Sequence, residues 1–227
     1  MAVNYMEGFD MRSLKHYCPP GALFPAPDEY VGELVVQNQK MVLEISPRDQ
    51  IDYANQSISF RSQKRYHENN LLVVLESPHR FEYDASGQPI ALMMGKTGQL
   101  FFDNFVFNLS NSTMKINDGT YNVIVCNAIQ YQTSCGLNPI DRNLRDQNWL
   151  EIYNEHGGKL DFKNRVFSIK PKYTINLCTG GMNPNGLRSQ ICQSLDEFGL
   201  KKGKHYTEGD HSSSWYVKRE ASHLFIV

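Results

Sequence analysis

The chain has 227 residues, 41% of them hydrophobic and 21% charged, which suits one large α/β domain with a single buried core and excludes a disordered chain. A formal net charge of −1 excludes a uniformly basic surface, so contact with a polyanion has to come from local patches. No apolar run approaches the roughly 20 residues that span a bilayer.

The five cysteines, Cys18, Cys126, Cys135, Cys178 and Cys192, form no C-x-x-C pair. An odd number without a charged-then-apolar leader reads as reduced thiols, and a cytoplasmic location is expected. Residues 1–26 are rich in Pro, Gly and aromatics and read as an irregular arm. Residues 28–45 carry Val31, Leu34, Val35, Met41, Val42 and Ile45 near helical spacing behind Asp28, which predicts a helix. Residues 46–69 are polar and read as loop. Leu71-Leu72-Val73-Val74-Leu75 is a continuous apolar run of the kind found in buried parallel strands. A helix is expected over 97–110, with Phe101, Phe105 and Leu109 on one face. Val123-Ile124-Val125-Cys126 reads as a second strand, 142–155 as a helix, and Tyr173 to Cys178 as a third strand. A further helix over 186–198 aligns Leu187, Ile191, Leu195 and Phe198. A short strand near Lys204–Thr207 and the run Leu224-Phe225-Ile226-Val227 close the chain.

Strands alternating with helices predict a three-layer α/β/α domain around a central, mostly parallel four-stranded sheet. One domain over 1–227 is expected, with an arm and helix over 1–45 and a motif-bearing core over 71–215. In such sheets ligands lie beyond the carboxyl ends of the strands. There the chain places Glu76-Ser77-Pro78-His79, Asn127-Ala128-Ile129-Gln130-Tyr131 and Asp210-His211-Ser212-Ser213-Ser214-Trp215. Taken singly, a Glu after a strand is ordinarily a solvated loop residue, an Asn a turn former and a His a surface group. Basic clusters at Arg61, Lys64 and Arg65, at Lys159 to Lys172, and at Lys201, Lys202 and Lys204 are ordinarily solvated charge.

The order of these strand-end residues resembles the uracil-DNA glycosylase superfamily. Leu75-Glu76-Ser77-Pro78 is similar to the Glu-Ala-Pro motif of the thermophile-type branch. Gly87-Gln88-Pro89 followed by Gly95-Lys96-Thr97-Gly98-Gln99-Leu100 resembles its Gly-x-Pro and Gly-basic-small-Gly segments. Asn127-Ala128 resembles the strand end that reads the extruded base. His211-Ser212-Ser213 resembles its His-Pro-Ser motif, with Trp215 at the wedge position. The likeness runs from about Leu71 to Trp215. It implies hydrolysis of the bond between a base and its deoxyribose, with DNA as partner.

Breaking that bond leaves positive charge on the sugar and negative charge on the base. A carboxylate near C1′ stabilises the sugar cation and orients water, as in glycoside hydrolases, and falls to Glu76. A donor beside the base carbonyl stabilises the leaving anion and falls to His211, with Asn127 reading the base edge. Ser77, Pro78, His79, Met93, Met94, Lys96 and Tyr131 are expected to line the base pocket. Ser212, Ser213, Ser214 and Trp215 are expected to contact DNA, Trp215 entering the vacated stack or else packing in the core.

The chain departs from the resemblance in instructive places. Ser77 stands where uracil-specific relatives have Asp, and His79 where they have the Tyr that closes the pocket at C5 of the pyrimidine. Met93 or Met94 falls near their stacking Phe. Tyr131 replaces a cysteine of the thermophile-type iron–sulfur cluster, so no cofactor and no metal are expected. An enlarged base is therefore expected. The pattern is similar to that of antiviral glycosylases of the superfamily, which remove glucosylated 5-hydroxymethylcytosine from phage DNA. A uracil or damaged-base repair enzyme and a non-catalytic DNA- or nucleotide-binding module are the alternatives. A monomer with no membrane association is expected.

Overall fold

The computed structural model describes residues 25–46, 69–84, 87–112, 114–133, 142–180, 186–212 and 225–226. The expected arm (1–24 of it), most of the 46–69 loop, and Ser213, Ser214 and Trp215 lie outside the described residues. The described strands form one mixed sheet in the order β2-β1-β4-β3-β5-β6-β7. Its middle is β4 (Gly119–Asn127), β3 (Asn70–Leu75), β5 (Tyr173–Asn176) and β6 (Tyr206–Gly209), which run parallel to one another. The two-residue β7 (Phe225–Ile226) pairs antiparallel with β6.

The expected helix over 28–45 is a β-hairpin. β1 (Glu29–Gln37) and β2 (Lys40–Ile45) pair antiparallel, and β1 also pairs antiparallel with β4. Asn38 and Gln39 both take positive φ, 51° and 64°, as a two-residue hairpin turn requires. Val31, Leu34 and Val36 are buried, and the alternation slips where the register shifts between Tyr30 and Gly32. That slip of one residue turned a period of two into a spacing that resembles a helix. Gly32 sits there at φ 151°, and a Cβ on it would collide with the Glu44 carbonyl.

β3 is buried at every residue because helices cover both faces of the sheet. On one face Leu71, Val73 and Leu75 meet α1 (Gly95–Ser110) through Phe101, Phe105 and Leu109. On the other, Leu72 and Val74 meet α2 (Arg142–Glu155), α3 (Gly158–Ile169) and α4 (Leu187–Glu197). Helices were expected where α1, α2 and α4 lie. α3 was not, although Phe162, Val166 and Ile169 recur at helical spacing and are buried. Gly157, at φ 81°, opens it directly behind α2. Among the described residues no helix is long and apolar enough to cross a membrane.

Candidate functional site

The parallel strands deliver Glu76, Asn127, Thr179 and the Asp210-His211-Ser212 segment to their shared carboxyl edge. Glu76 follows β3 directly and is 8% exposed. Its main chain is fixed from two sides: its carbonyl accepts hydrogen bonds from Trp149 Nε1 at 2.7 Å and from the Ile129 N–H at 3.1 Å. Its carboxylate is just as constrained. Oε2 accepts the Thr179 N–H at 3.2 Å and lies 3.7 Å from His211 Nε2. Oε1 lies 3.9 Å from Arg145 Nη1, beyond direct hydrogen-bond range. Arg145 stands in the first turn of α2 and is itself held by Asp146, whose Oδ1 accepts from Nε at 2.8 Å.

Asp210, the neighbour of His211, is paired with Arg188 of α4. That guanidinium donates from Nε to the Cys178 carbonyl at 2.9 Å and lies 3.6 Å from Asp210 Oδ1. The end of β5 and the segment after β6 are thereby tied together. Arg145, Thr179, Arg188 and Asp210 were not singled out in the sequence. The signal for Asp210 was its position at a strand end; Thr179 acts through a main-chain N–H, and α2 and α4 carry the arginines at positions only the fold reveals.

Asn127 closes β4 opposite Leu75, one residue short of Glu76 on the neighbouring strand. It is 1% exposed, and neither its amide nitrogen nor its amide oxygen has a hydrogen-bond partner. The residues flanking it are locked from behind. Arg165 of α3 donates to Cys126 Sγ at 2.8 Å and to the Ala128 carbonyl at 3.0 Å, and pairs with Asp28 and Asp161 at 2.8 Å each. Arg165 was grouped with a basic surface cluster; it is a buried structural cation. Lys159 of that cluster pairs with Glu197 at 2.7 Å. The hydroxyls of Thr179 and Ser212 are also buried without a partner.

The other expected pocket residues divide. Ser77 Oγ lies 2.7 Å from Thr133 Oγ1 and Pro78 is buried behind it. His79 is exposed; its Nδ1 accepts the Phe81 N–H, and its ring stands 5.0 Å from that of Phe81. Partial burial, then the Arg80 charge, lower the His79 pKa. Met93 is 3% exposed and belongs to the hydrophobic core, at φ 58°. Its carbonyl presses on Gly98, where a Cβ could not fit, which accounts for the second glycine of Gly95-Lys96-Thr97-Gly98. Met94 precedes α1 as its half-buried N-cap. Lys96 lies in the first turn of α1, its side chain outside the described residues. Tyr131 is 7% exposed, in the core with Trp149, and burial pushes its hydroxyl pKa up.

Among the described residues no group of three or more His, Cys, Asp or Glu side chains could hold a metal ion. A surface groove lined by Tyr153, Leu160, Lys163, Glu197 and Phe198 lies toward the far end of α2 from Arg145. Compared with known proteins, the chain matches no family model, no curated protein and no solved structure.

Proposed function

We propose that the chain is a DNA glycosylase of the uracil-DNA glycosylase type, hydrolysing the N-glycosidic bond of an extruded modified pyrimidine. The observation that carries this reading is the convergence of the Glu76 carboxylate and the His211 imidazole, 3.7 Å apart, at the strand edge where Asn127 keeps a wholly buried, unpartnered amide. A buried amide with nothing to bond costs about 1–3 kcal/mol. An amide offers one acceptor and two donor hydrogens, which suits the edge of a pyrimidine.

In this reading the C1′–N1 bond breaks with its electron pair passing to the base. His211 stabilises the negative charge on the base carbonyl. Glu76 Oε1, free of a direct hydrogen bond to Arg145, accepts a proton from the water that adds to C1′. The base anion takes up a proton from solvent and Glu76 returns its own to solvent, so the products are a free base and an abasic deoxyribose. The Thr179 N–H holds Oε2 so that the carboxylate keeps one orientation.

The substrate we favour is glucosylated 5-hydroxymethylcytosine in phage DNA, which places the protein in antiviral defence. The outward turn of His79 onto Phe81 supports this, because His79 is then no gate against a large group at C5. Mass spectrometry of bases released from glucosylated phage DNA, uracil DNA and unmodified DNA tests both parts. Glu76→Ala and His211→Ala should each lower release by at least about 10²-fold. Full activity of Glu76→Ala would remove the mechanism. Release from uracil DNA alone would remove the substrate assignment.

A further inference from the structure

On the loop that leaves β3, His79, Arg80 and Phe81 are exposed while Glu82 beneath them is buried. After β3 ends, a single 3-10 turn (Arg80–Glu82) is capped at both positions of a capping box. The His79 ring accepts the Phe81 N–H at 3.3 Å, and Glu82 Oε2 accepts the His79 N–H at 3.1 Å. The other Glu82 oxygen is buried and accepts the Met93 N–H at 2.8 Å, which anchors the turn to the loop before α1. Phe81 projects from this turn with 56% of its surface open. The Arg80 guanidinium carbon lies 5.0 Å from the centre of the Phe81 ring, and the His79 ring stands at 5.0 Å, tilted by 42°.

We propose that Phe81, with Arg80, is a stacking platform for a nucleobase of the DNA strand next to the extruded nucleotide. This rests on the glycosylase reading of the neighbouring site, because it takes DNA to be the partner. The part of the ring left open between the Arg80 guanidinium and the His79 ring can take any base, and the guanidinium lies close enough to meet a neighbouring phosphate. The position matches: Phe81 lies five residues after Glu76 in the chain, on the loop leaving the same strand edge. The polarity matches too, since Arg80 gives the patch the sign opposite to a phosphate backbone.

The test is fluorescence anisotropy with a labelled single-stranded oligonucleotide carrying one central tetrahydrofuran abasic analogue. Phe81→Ala should weaken binding by at least about tenfold, while Phe81→Tyr keeps it within about twofold, because stacking needs a ring and not a methylene surface. Phe81→Leu should behave like Phe81→Ala. Arg80→Gln should flatten the dependence of affinity on salt. Phe107→Ala, which removes a ring 57% exposed on α1, is the control and should leave affinity unchanged. Circular dichroism checks that each variant is folded. Wild-type affinity in Phe81→Ala, or an equal loss in Phe107→Ala, would overturn the platform and leave the ring to a protein partner. Base release by the same variants separates the two ideas. Release with Phe81-independent binding sinks the platform alone, and Phe81-dependent binding with no release from any DNA sinks the activity alone.

Discussion

Asn127 sets stability against function in a way that can be measured on one side chain. Its amide is sealed at the end of β4 with no partner for either polar atom, so the folded protein bears a desolvation cost that an apolar residue of similar shape would not. Asn127→Leu should therefore raise the unfolding free energy by about 1–3 kcal/mol in urea titrations while reducing base release to background. Loss of stability in this variant would mean that the amide is a structural group, and the site would lose its base reader. Glu76 and His211 could be picked out of the sequence because each follows a strand, and their approach to one another is an observation about the fold. Thr179 could not, since its contribution is a main-chain N–H and any residue supplies one. Met93 packs in the core cluster with its carbonyl against Gly98, a contact the sequence does not announce.

The element that carries the most unspent electrostatic energy is the loop from β3 to α1. Glu82 is 6% exposed, and burial, opposed by N–H donors from His79 and Met93 and reinforced by nearby Glu29, raises its pKa from 4.5 to about 8. Glu29 is 1% exposed, and its Oε2 accepts the Leu92 N–H at 2.7 Å, so two buried carboxyls hold one loop. A carboxyl whose pKa is raised on folding binds its proton more tightly in the folded chain. Its contribution to stability is complete below pH 4.5 and is lost as pH climbs through about 8. Urea midpoints of the wild type should fall across that window, and Glu82→Gln should fall less. An identical decline in both would show that Glu82 keeps an ordinary pKa. None of this was legible in the sequence, where Glu82 is one charge in a polar stretch. The hairpin of β1 and β2 was legible in principle, through the Asn38-Gln39 turn, but Gly32 displaced the alternation that reveals a strand. α1 and α4 were legible because their apolar residues keep one helical period, whereas α2 buries Asp146 and Asn148 beside Trp149, Ile152 and Tyr153 and has no such stripe.

At the scale of the whole molecule, the parallel middle of the sheet followed from continuous apolar runs, which only strands covered on both faces tolerate. Its extension by an antiparallel hairpin on one side and β7 on the other did not follow, because edge pairing leaves little trace in composition. A cation ties α3 to the sheet. Arg165, on α3, reaches Asp28 ahead of β1, Asp161 on its own helix, and both the sulfur and the carbonyl that bracket Asn127. The two carboxylates lift its pKa well above its usual value against the opposing effect of burial, while burial raises that of Asp28. Removing the cation leaves Asp28 and Asp161 facing each other with no counter-charge. Breaking a buried pair in this way costs about 3–5 kcal/mol. Arg165→Met should thus lower stability by that amount in urea unfolding. Arg165→Lys should recover only part of it, since an ammonium cannot reach two carboxylates, a sulfur and a carbonyl from one plane. Because the same guanidinium holds the Cys126 sulfur and the Ala128 carbonyl on either side of Asn127, Arg165→Lys should also reduce base release at a temperature where the variant remains folded. A destabilised variant with undiminished release would show that the amide is held by its strand alone, and that the cation serves the fold without serving the site.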